Sequence, residues 1–215
     1  MRAIGVAGPI GAGKSRIVKA LTEDRALARD LGGEILAIDA DAVLREARES
    51  SPSLQREIAA LVPEARREDG SLDSTRLASA AFERPDLLRA LEALQWPLAR
   101  EAINRARHAG EASGAALLLV EAIALIDSGL AETLDGVLLV DAPREIRASR
   151  LLDRGLTAEE IGRREAAQSG LRTRLLAAGA IPIDAGRTVD EAAAAAADAL
   201  RLLCSTGEGN SNPAG

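Results

Sequence analysis

A glycine-rich loop near the start of the chain carries the clearest chemical signal in the sequence. Residues 8–15 read Gly-Pro-Ile-Gly-Ala-Gly-Lys-Ser, which matches the full Gly-x4-Gly-Lys-Ser pattern. The glycines let backbone N–H groups converge on phosphate oxygens, and the helix that follows adds its positive N-terminal end. Lys14 would neutralise the β- and γ-phosphates of a nucleotide, and the Ser15 hydroxyl would ligate Mg²⁺. The pattern therefore predicts a phosphate-binding loop (P-loop).

Acidic residues follow three of the apolar segments that are typical of buried strands. Asp39 and Asp41 follow residues 34–38, Glu121 follows residues 116–120, and Asp141 follows residues 137–140. In a parallel sheet, ligands bind beyond the carboxyl ends of the strands. A carboxylate placed there can accept the proton of a sugar hydroxyl or orient it for attack. Asp39 is the first candidate for this role and Asp41 the second, while a helix cap remains the alternative for either residue.

The elements that must position these residues alternate between strand and helix. Residues 3–7, the three segments that precede the acids, and residues 180–183 are predicted strands, with helical segments between them. This alternation predicts an α/β fold, a P-loop NTPase-type parallel sheet flanked by helices. A single domain is expected over residues 1–204, with a polar, disordered tail at 205–215.

Three expectations concern the helices. Helical periodicity runs from Ser15 to about Ala28, which predicts one helix there. Ser74 is a candidate N-cap for a helix that extends to Phe82. Pro97 is expected to interrupt or restart the helix that begins near Pro85.

Composition limits the classes of function. The net charge of −6 argues against a nucleic-acid partner, because binding to a phosphate backbone usually needs a basic surface. The single Cys204 excludes an intramolecular disulfide. No apolar run approaches the roughly 20 residues that cross a bilayer, and no signal peptide is recognisable. We therefore expect a soluble, cytoplasmic protein whose partner is a small-molecule substrate, with no membrane partner. Its oligomeric state stays open.

Two further features separate the P-loop classes. The guanine-reading motif Asn-Lys-x-Asp of GTPases is absent, since the only lysines are Lys14 and Lys19. A long helical stretch, residues 42–110, separates the second and third strands, as a substrate-binding insertion would. An arginine-rich segment at residues 150–170 would suit a lid over ATP. These features favour a kinase that acts on a nucleotide-like acceptor.

At this point the chain resembles the dephospho-coenzyme A kinase family. The resemblance runs through the P-loop, Ile38-Asp39-Ala40-Asp41 with Arg45, and residues 69–72. It continues through residues 91–97, residues 127–130, Val140-Asp141, Arg150 with Arg154, and Arg164 with Gln168. It covers roughly residues 3–200. The P-loop is shared by many families, whereas the Asp-Ala-Asp element together with the later arginines points to this one.

The resemblance implies transfer of the ATP γ-phosphate to the ribose 3′-hydroxyl of dephospho-coenzyme A, with magnesium. Arg150 and Arg154 resemble the lid and adenine-side arginines of the family, although a solvated helix face is the alternative for both. Glu121 would hold the substrate or a magnesium-bound water, unless its role is purely structural. The predicted catalytic residues are Lys14, Asp39, Asp41 and Arg150. The predicted nucleotide-binding residues are Gly8, Ile10, Gly11, Ala12, Gly13, Lys14, Ser15, Arg16 and Arg154. The predicted acceptor-binding residues are Asp41, Arg45, Trp96 and Glu121, and the metal ligand is Ser15.

Three positions depart from the family pattern. Trp96 replaces a histidine before proline, residues 123–127 replace Pro-Leu-Leu-Phe-Glu, and Asp184 replaces an asparagine. The first two lie where the acceptor is expected, so two alternatives stay open. One is a P-loop kinase for another nucleotide-like or small hydroxyl acceptor. The other is a regulatory nucleotide-binding protein, for which the strand-end acids would not be needed.

Overall fold

The fold is an α/β arrangement built on one five-stranded sheet. A computed structural model of the 215-residue chain describes residues 1–205. The strands are β1 (Arg2–Ala7), β2 (Ile35–Asp39), β3 (Leu117–Glu121), β4 (Gly136–Asp141) and β5 (Ile181–Asp184), in the spatial order β2-β3-β1-β4-β5. The pairs β1–β3, β1–β4 and β4–β5 are parallel. The predicted parallel sheet flanked by helices is therefore confirmed.

Ten α-helices are found in the described part of the chain. They are α1 (Lys14–Glu23), α2 (Arg25–Leu31), α3 (Ala40–Ser50), α4 (Pro52–Leu61), α5 (Ser74–Glu83), α6 (Pro85–Ser113), α7 (Arg144–Leu152), α8 (Ala158–Ala167), α9 (Leu171–Ala177) and α10 (Val189–Ser205). Short 3₁₀ turns lie at Pro63–Ala65 and Ala131–Thr133. Residues 206–215, for which the sequence predicts disorder, lie outside the described residues, and Ser205 ends α10 rather than beginning that tail.

The structure corrects three of the helix predictions. Asp24 splits the segment expected as one helix, because its side chain accepts hydrogen bonds from the N–H groups of Ala26 and Leu27 and so caps α2. Asp73, not Ser74, caps α5. Pro97 lies inside α6, which continues through it. Proline has no N–H group and usually breaks a helix, so the sequence alone did not indicate that α6 would continue through Pro97.

The chain divides into two compact units. The first, which we call the sheet unit, comprises residues 1–38 and the residues from Ala106 onward. Its core joins the sheet to α1 and α10 through fully buried side chains such as Ile4, Ile17, Leu119, Leu138 and Leu200. Because β1, β3 and β4 are covered on both faces, they consist almost entirely of apolar residues. This core fixes the strand ends that carry the candidate site.

The second compact unit, which we call the helical unit, is Asp39–Arg105. Its own core contains Leu54, Ile58, Val62, Leu77 and Leu91. An Asp69-Gly70 turn, with Gly70 at φ 86°, lies between the 3₁₀ turn at Pro63–Ala65 and α5. The unit overlaps most of the predicted insertion at residues 42–110, and the role of that insertion in acceptor binding stays a prediction.

No helix among residues 1–205 combines the length and apolar character that crossing a bilayer requires.

Candidate active site

The phosphate loop lies between β1 and α1, and its shape requires glycine at three positions. Gly8, Gly11 and Gly13 have φ angles of 148°, 78° and 103°. A Cβ on Gly8 would lie 1.9 Å from the carbonyl oxygen of Val140, and one on Gly11 would lie 2.8 Å from that of Arg147. Neither position can accept a side chain without backbone movement. The glycines are therefore required by the loop conformation itself.

Lys14 is the first residue of α1, and its side chain turns back across the loop. The Nζ atom donates a 2.9 Å hydrogen bond to the carbonyl oxygen of Gly8 and lies 3.5 Å from that of Pro9. The residue is buried, with 8% of its surface exposed. The first turn of α1 contains no acidic residue of its own, so the helix contributes its positive N-terminal end to the loop. The loop is thus a concave, electropositive surface of the kind that binds phosphate.

The next residue, Ser15, contacts the predicted strand-end acid Glu121. Its hydroxyl donates a 2.7 Å hydrogen bond to Oε1 of Glu121. Glu121 is 9% exposed and ends β3, whose register with β1 pairs Glu121 with Val6, just before the loop. Since the serine proton points at the carboxylate, the lone pairs of its oxygen remain available to a cation. The sheet register therefore brings together two residues that are 106 positions apart.

This oxygen pair fits a magnesium ion. Mg²⁺ prefers oxygen ligands and is usually held by one or two protein groups plus waters and phosphate oxygens. Within residues 1–205 no group of three or more His, Cys, Asp or Glu side chains could hold a metal by itself. The donor set of Ser15 and Glu121 matches an ion shared with a bound triphosphate, rather than one enclosed by protein.

Arg150, on α7, is placed against the backbone of the loop. Its Nη1 donates to the carbonyl oxygen of Ala12 at 2.9 Å and lies 3.4 Å from that of Gly11, and its Nη2 donates to the carbonyl oxygen of Ala185 at 2.8 Å. Burial, followed by the charges of Arg16 and Arg154, lowers the pKa of the Arg150 guanidinium. The three predicted arginines are thus close enough to repel one another. The predicted catalytic role of Arg150 stays a prediction; its contacts in the structure are to backbone carbonyls.

A shallow depression lies beside these arginines. It is lined by Gly13, Arg16 and Arg150 from the loop side and by Ala185 and Arg187 from the segment after β5. Its volume of about 10 Å³ is too small to enclose a nucleotide base. Arg187 was not predicted, because the sequence offers no motif that separates it from the many surface arginines.

Two residues that were not among the predicted site residues also contact the loop: Gln168 from the predicted lid and Arg147 from just before it. Gln168, just after α8, accepts a 2.8 Å hydrogen bond from the N–H of Ile10. Arg147, on α7, lies 3.3 Å from the carbonyl oxygen of Ile10 and donates to that of Ala142 at 3.1 Å. Glu165 lies 3.4 Å from Arg147 and 3.0 Å from Arg144. Gln168 belonged to the resemblance pattern, and Arg147 lies one turn before Arg150, so both carried weak signals.

The remaining predicted residues belong to the helical unit. Asp39 ends β2 and caps α3, since its Oδ1 accepts a 3.0 Å hydrogen bond from the N–H of Ala42. Asp41 lies in the first turn of α3, and Arg45 follows one turn later and is exposed. Trp96 lies on α6 and is half-buried. Asp39 therefore does cap the helix that follows it, as the alternative interpretation predicted. The cap uses only one of its two carboxylate oxygens.

The sheet order, a phosphate loop directly after β1 and a lysine held across that loop define a nucleotide-binding protein of the P-loop class. The comparisons with known proteins narrow this class. The family model for dephospho-CoA kinase matches residues 2–190. The chain belongs to the dephospho-CoA kinase family.

Relatives over nearly the full length agree with that placement. A dephospho-CoA kinase of Corynebacterium jeikeium is 36% identical over 192 residues, which cover 89% of this chain and 94% of the relative. One of Anaeromyxobacter dehalogenans is 34% identical over 215 residues, covering 99% of this chain and 97% of the relative.

Solved structures give the same fold. A crystal structure of a Thermus thermophilus protein matches with a TM-score of 0.75 and 33% identity, covering 94% of this chain and 96% of that one. A dephospho-CoA kinase from Campylobacter jejuni matches with a TM-score of 0.61, covering 96% of this chain and 99% of that one. At 20% identity, this second likeness speaks for the fold alone.

Proposed function

We propose that this protein transfers the γ-phosphoryl group of ATP to the ribose 3′-hydroxyl of dephospho-coenzyme A, giving coenzyme A and ADP. The observation that carries the proposal is the buried Lys14, held across the phosphate loop by the carbonyl oxygen of Gly8, in a chain of this family. An ammonium group in that position neutralises charge on the β- and γ-phosphates.

On the donor side, the triphosphate lies along residues 8–15. Backbone N–H groups of the loop and the N-terminus of α1 bind the phosphate oxygens. Arg16, Arg150 and Arg154 supply further positive charge, which offsets the negative charge that develops on the transferring phosphoryl group. The adenine base of ATP lies towards Ala185, whose carbonyl oxygen accepts a hydrogen bond from Arg150.

Magnesium enters with the triphosphate. Ser15 would contribute its hydroxyl oxygen, and Glu121 would hold the ion directly or through a bound water. An ion held by these two residues would supply positive charge that offsets the charge of the phosphates. The protein contributes the position of the Ser15 oxygen, which the hydrogen bond to Glu121 fixes.

On the acceptor side, Asp39 is the residue that takes the proton. The 3′-oxygen attacks the γ-phosphorus, the bond from that phosphorus to the bridging oxygen of ADP breaks, and the hydroxyl proton passes to the carboxylate. Only one oxygen of Asp39 is needed for the helix cap, so the other can serve the hydroxyl. Asp41 completes the acceptor side together with Arg45 and Trp96, which lie within the helical insertion predicted at residues 42–110. Residues 150–170 act as the lid over ATP.

The proposed partners are small molecules only. The net charge of −6 makes the surface a poor match for a nucleic-acid backbone, and we propose a cytoplasmic location, where the acceptor would be met.

A panel assay tests the proposal. Release of ADP is measured with dephospho-coenzyme A, with nucleoside monophosphates and with simple alcohols as acceptors, in the presence of Mg²⁺. Dephospho-coenzyme A should give the highest kcat/KM, with phosphate appearing on the 3′-oxygen by ³¹P NMR. Faster turnover of another acceptor would replace the proposed substrate but leave the donor site standing.

A further inference from the structure

An arginine-lined cavity lies inside the helical unit, within residues 45–77. It has a volume of about 210 Å³, and three guanidinium groups line it, those of Arg45, Arg48 and Arg67. A single carboxylate, that of Glu49, lines the same cavity. The walls therefore carry an excess of positive charge. An excess of positive charge at one place favours the binding of an anion, and it occurs in a protein whose overall charge is negative.

The guanidinium of Arg48 is held in place rather than left to solvent. Its Nη1 donates a 2.6 Å hydrogen bond to Oε1 of Gln95, whose amide is buried with 9% of its surface exposed. The amide of Gln95 is fixed in turn, because its Nε2 donates to the carbonyl oxygen of Leu91 at 3.0 Å. Gln55 closes the arrangement by donating to the backbone carbonyl of Arg48 at 2.8 Å. A buried amide therefore orients this arginine.

The neighbouring charges act against Arg48. Burial, and then the charge of Arg45, lower the pKa of the Arg48 guanidinium, while Glu49 and Asp41 raise it only in part. Arg45 forms no hydrogen bond or ion pair with any residue in the described range 1–205, and it lies one turn before Arg48 on α3. Arg67 has a long contact of 3.5 Å to Asp73. Donor groups on these side chains thus remain available to a ligand.

The size and chemistry of the cavity indicate which group it would bind. Sites that enclose a complete small molecule usually measure about 300–1,000 Å³, so this one suits a single charged group. Planar guanidinium forks match phosphate oxygens in pairs. The hydroxyls of Ser71 and Ser74 also line the cavity and add neutral donors. The acceptor of the proposed reaction contains one group of this kind away from its reacting ribose, namely the diphosphate between the adenosine and the pantetheine arm.

We propose that Arg45, Arg48 and Arg67 bind the diphosphate of the acceptor, with Gln95 as the positioning residue for Arg48. The proposal rests on the proposed function, because that function supplies the acceptor. It makes this cavity a determinant of specificity. An acceptor with the same nucleoside but without the diphosphate would lose these contacts.

The test combines substitutions in the protein with truncation of the substrate. Arg45→Gln, Arg48→Gln and Arg67→Gln are compared with the wild type on dephospho-coenzyme A and on adenosine, which has the 3′-hydroxyl but no phosphate. Each charge-assisted hydrogen bond is worth about tenfold or more in affinity. We therefore expect each variant to lose about tenfold or more in kcat/KM for dephospho-coenzyme A, mainly through KM. The kcat/KM for adenosine and the KM for ATP should stay unchanged.

Two further variants make the result specific. Arg89→Gln removes a surface arginine of the same unit that pairs with Asp86 and does not line the cavity, so it should behave as the wild type. Gln95→Leu should raise the KM for dephospho-coenzyme A with no change in the KM for ATP. Arg45→Gln removes no hydrogen bond or ion pair among residues 1–205, so it keeps the test decisive if Arg48→Gln fails to fold.

The possible outcomes separate the two proposals. If the wild type phosphorylates dephospho-coenzyme A and the arginine variants leave its KM unchanged, or lose activity equally on both acceptors, the diphosphate site is overturned and the proposed function stands. A wild type that uses ATP on another acceptor and not on dephospho-coenzyme A overturns both. Calorimetric titration of dephospho-coenzyme A into each variant without ATP gives the same comparison in Kd.

Discussion

The hydroxyl of Ser15 donates a 2.7 Å hydrogen bond to Oε1 of Glu121, and this contact joins the first turn of α1 to the end of β3. It follows from the register of two neighbouring parallel strands, in which Val6 pairs with Glu121. The helix that begins after the loop thus has the Ser15 hydroxyl, the proposed metal ligand, oriented by a residue from another strand. Several roles inferred above depend on this contact.

Replacing Glu121 should change the magnesium dependence of the reaction. Glu121→Gln keeps a hydrogen-bond acceptor for Ser15 but removes the negative charge. Groups that orient or neutralise a metal site are worth about 10–100-fold in metal affinity, so the Mg²⁺ concentration for half-maximal activity should rise by about tenfold or more. Titration of activity against Mg²⁺ measures this. Glu132→Gln changes an exposed glutamate and should leave the titration unchanged. An unaltered midpoint for Glu121→Gln would show that Glu121 has no part in holding the magnesium ion.

The two lysines of the chain offer a matched pair of substitutions. Lys14→Ala removes the ammonium group from the mouth of the phosphate loop, and kcat should fall by about 10²–10³ because a preorganised cation is lost. Lys19→Ala removes an exposed side chain that only approaches Glu23 at 3.9 Å, and it should leave kcat unchanged. Steady-state kinetics together with circular dichroism give the comparison. A folded Lys14→Ala enzyme with normal kcat would refute the assignment of the loop.

Asp39 can be tested without disturbing its structural role. Asparagine caps helices about as well as aspartate, so Asp39→Asn should keep the cap of α3 and the thermal midpoint. Asparagine cannot act as a general base, so kcat should fall by about 10²–10⁴ with little change in the affinity for ATP. Asp39→Ala should in addition lose about 1 kcal/mol of stability. If Asp39→Asn retains kcat while Asp41→Asn loses it, Asp41 is the base.

The hydrogen bond between Gln168 and the N–H of Ile10 should affect the donor alone. Gln168→Ala removes the acceptor, and a contact worth about 1 kcal/mol corresponds to roughly a fivefold rise in the KM for ATP. Gln168→Glu keeps an oxygen acceptor and should restore most of the affinity. The KM for the acceptor serves as an internal reference. A change in the KM for the acceptor, with the KM for ATP unaltered, would show that Gln168 contributes to binding of the acceptor instead.

Acid should weaken the start of α10 through Glu191. Hydrogen bonds from the side chain and then the backbone of Thr188 lower the pKa of Glu191, so its contribution to stability is present above the unfolded-state value of about 4.3 and is lost as the pH falls through the folded value. Glu191→Gln keeps the capping geometry without a charge. The wild type should have the higher thermal midpoint at pH 7, and the difference should close below about pH 4. Scanning calorimetry at several pH values measures it.

Much of the fold could be predicted from sequence because its signals are local. The buried strands read as short apolar runs, the phosphate loop has a complete motif, and the capping box of Thr157 and Glu160 appears where its spacing predicts it. Contacts between distant segments give no such local signal. The hydrogen bond from Ile10 to Gln168 spans 158 positions and that from Arg150 to Ala12 spans 138, so neither could be deduced from spacing.

The helix errors have a similar origin. Asp24 and Pro97 each have several compatible local structures, and packing decides between them. Asp24 caps a new helix, whereas Pro97 is retained inside one. Ser15 and Glu121 were each predicted as site residues, but their contact with one another was not predicted. Pairing them required the strand register.

Arg150 touches two segments that would meet opposite ends of the same nucleotide. One nitrogen of its guanidinium bonds to the carbonyl oxygen of Ala12 and the other to that of Ala185. A single rigid plane thus spans the segment that would bind the phosphates and the segment that would meet the base. Any coupling of binding between the two segments would be reciprocal, by thermodynamic linkage. The guanidinium of Arg150 gives the two segments a direct physical connection through which such a coupling could act.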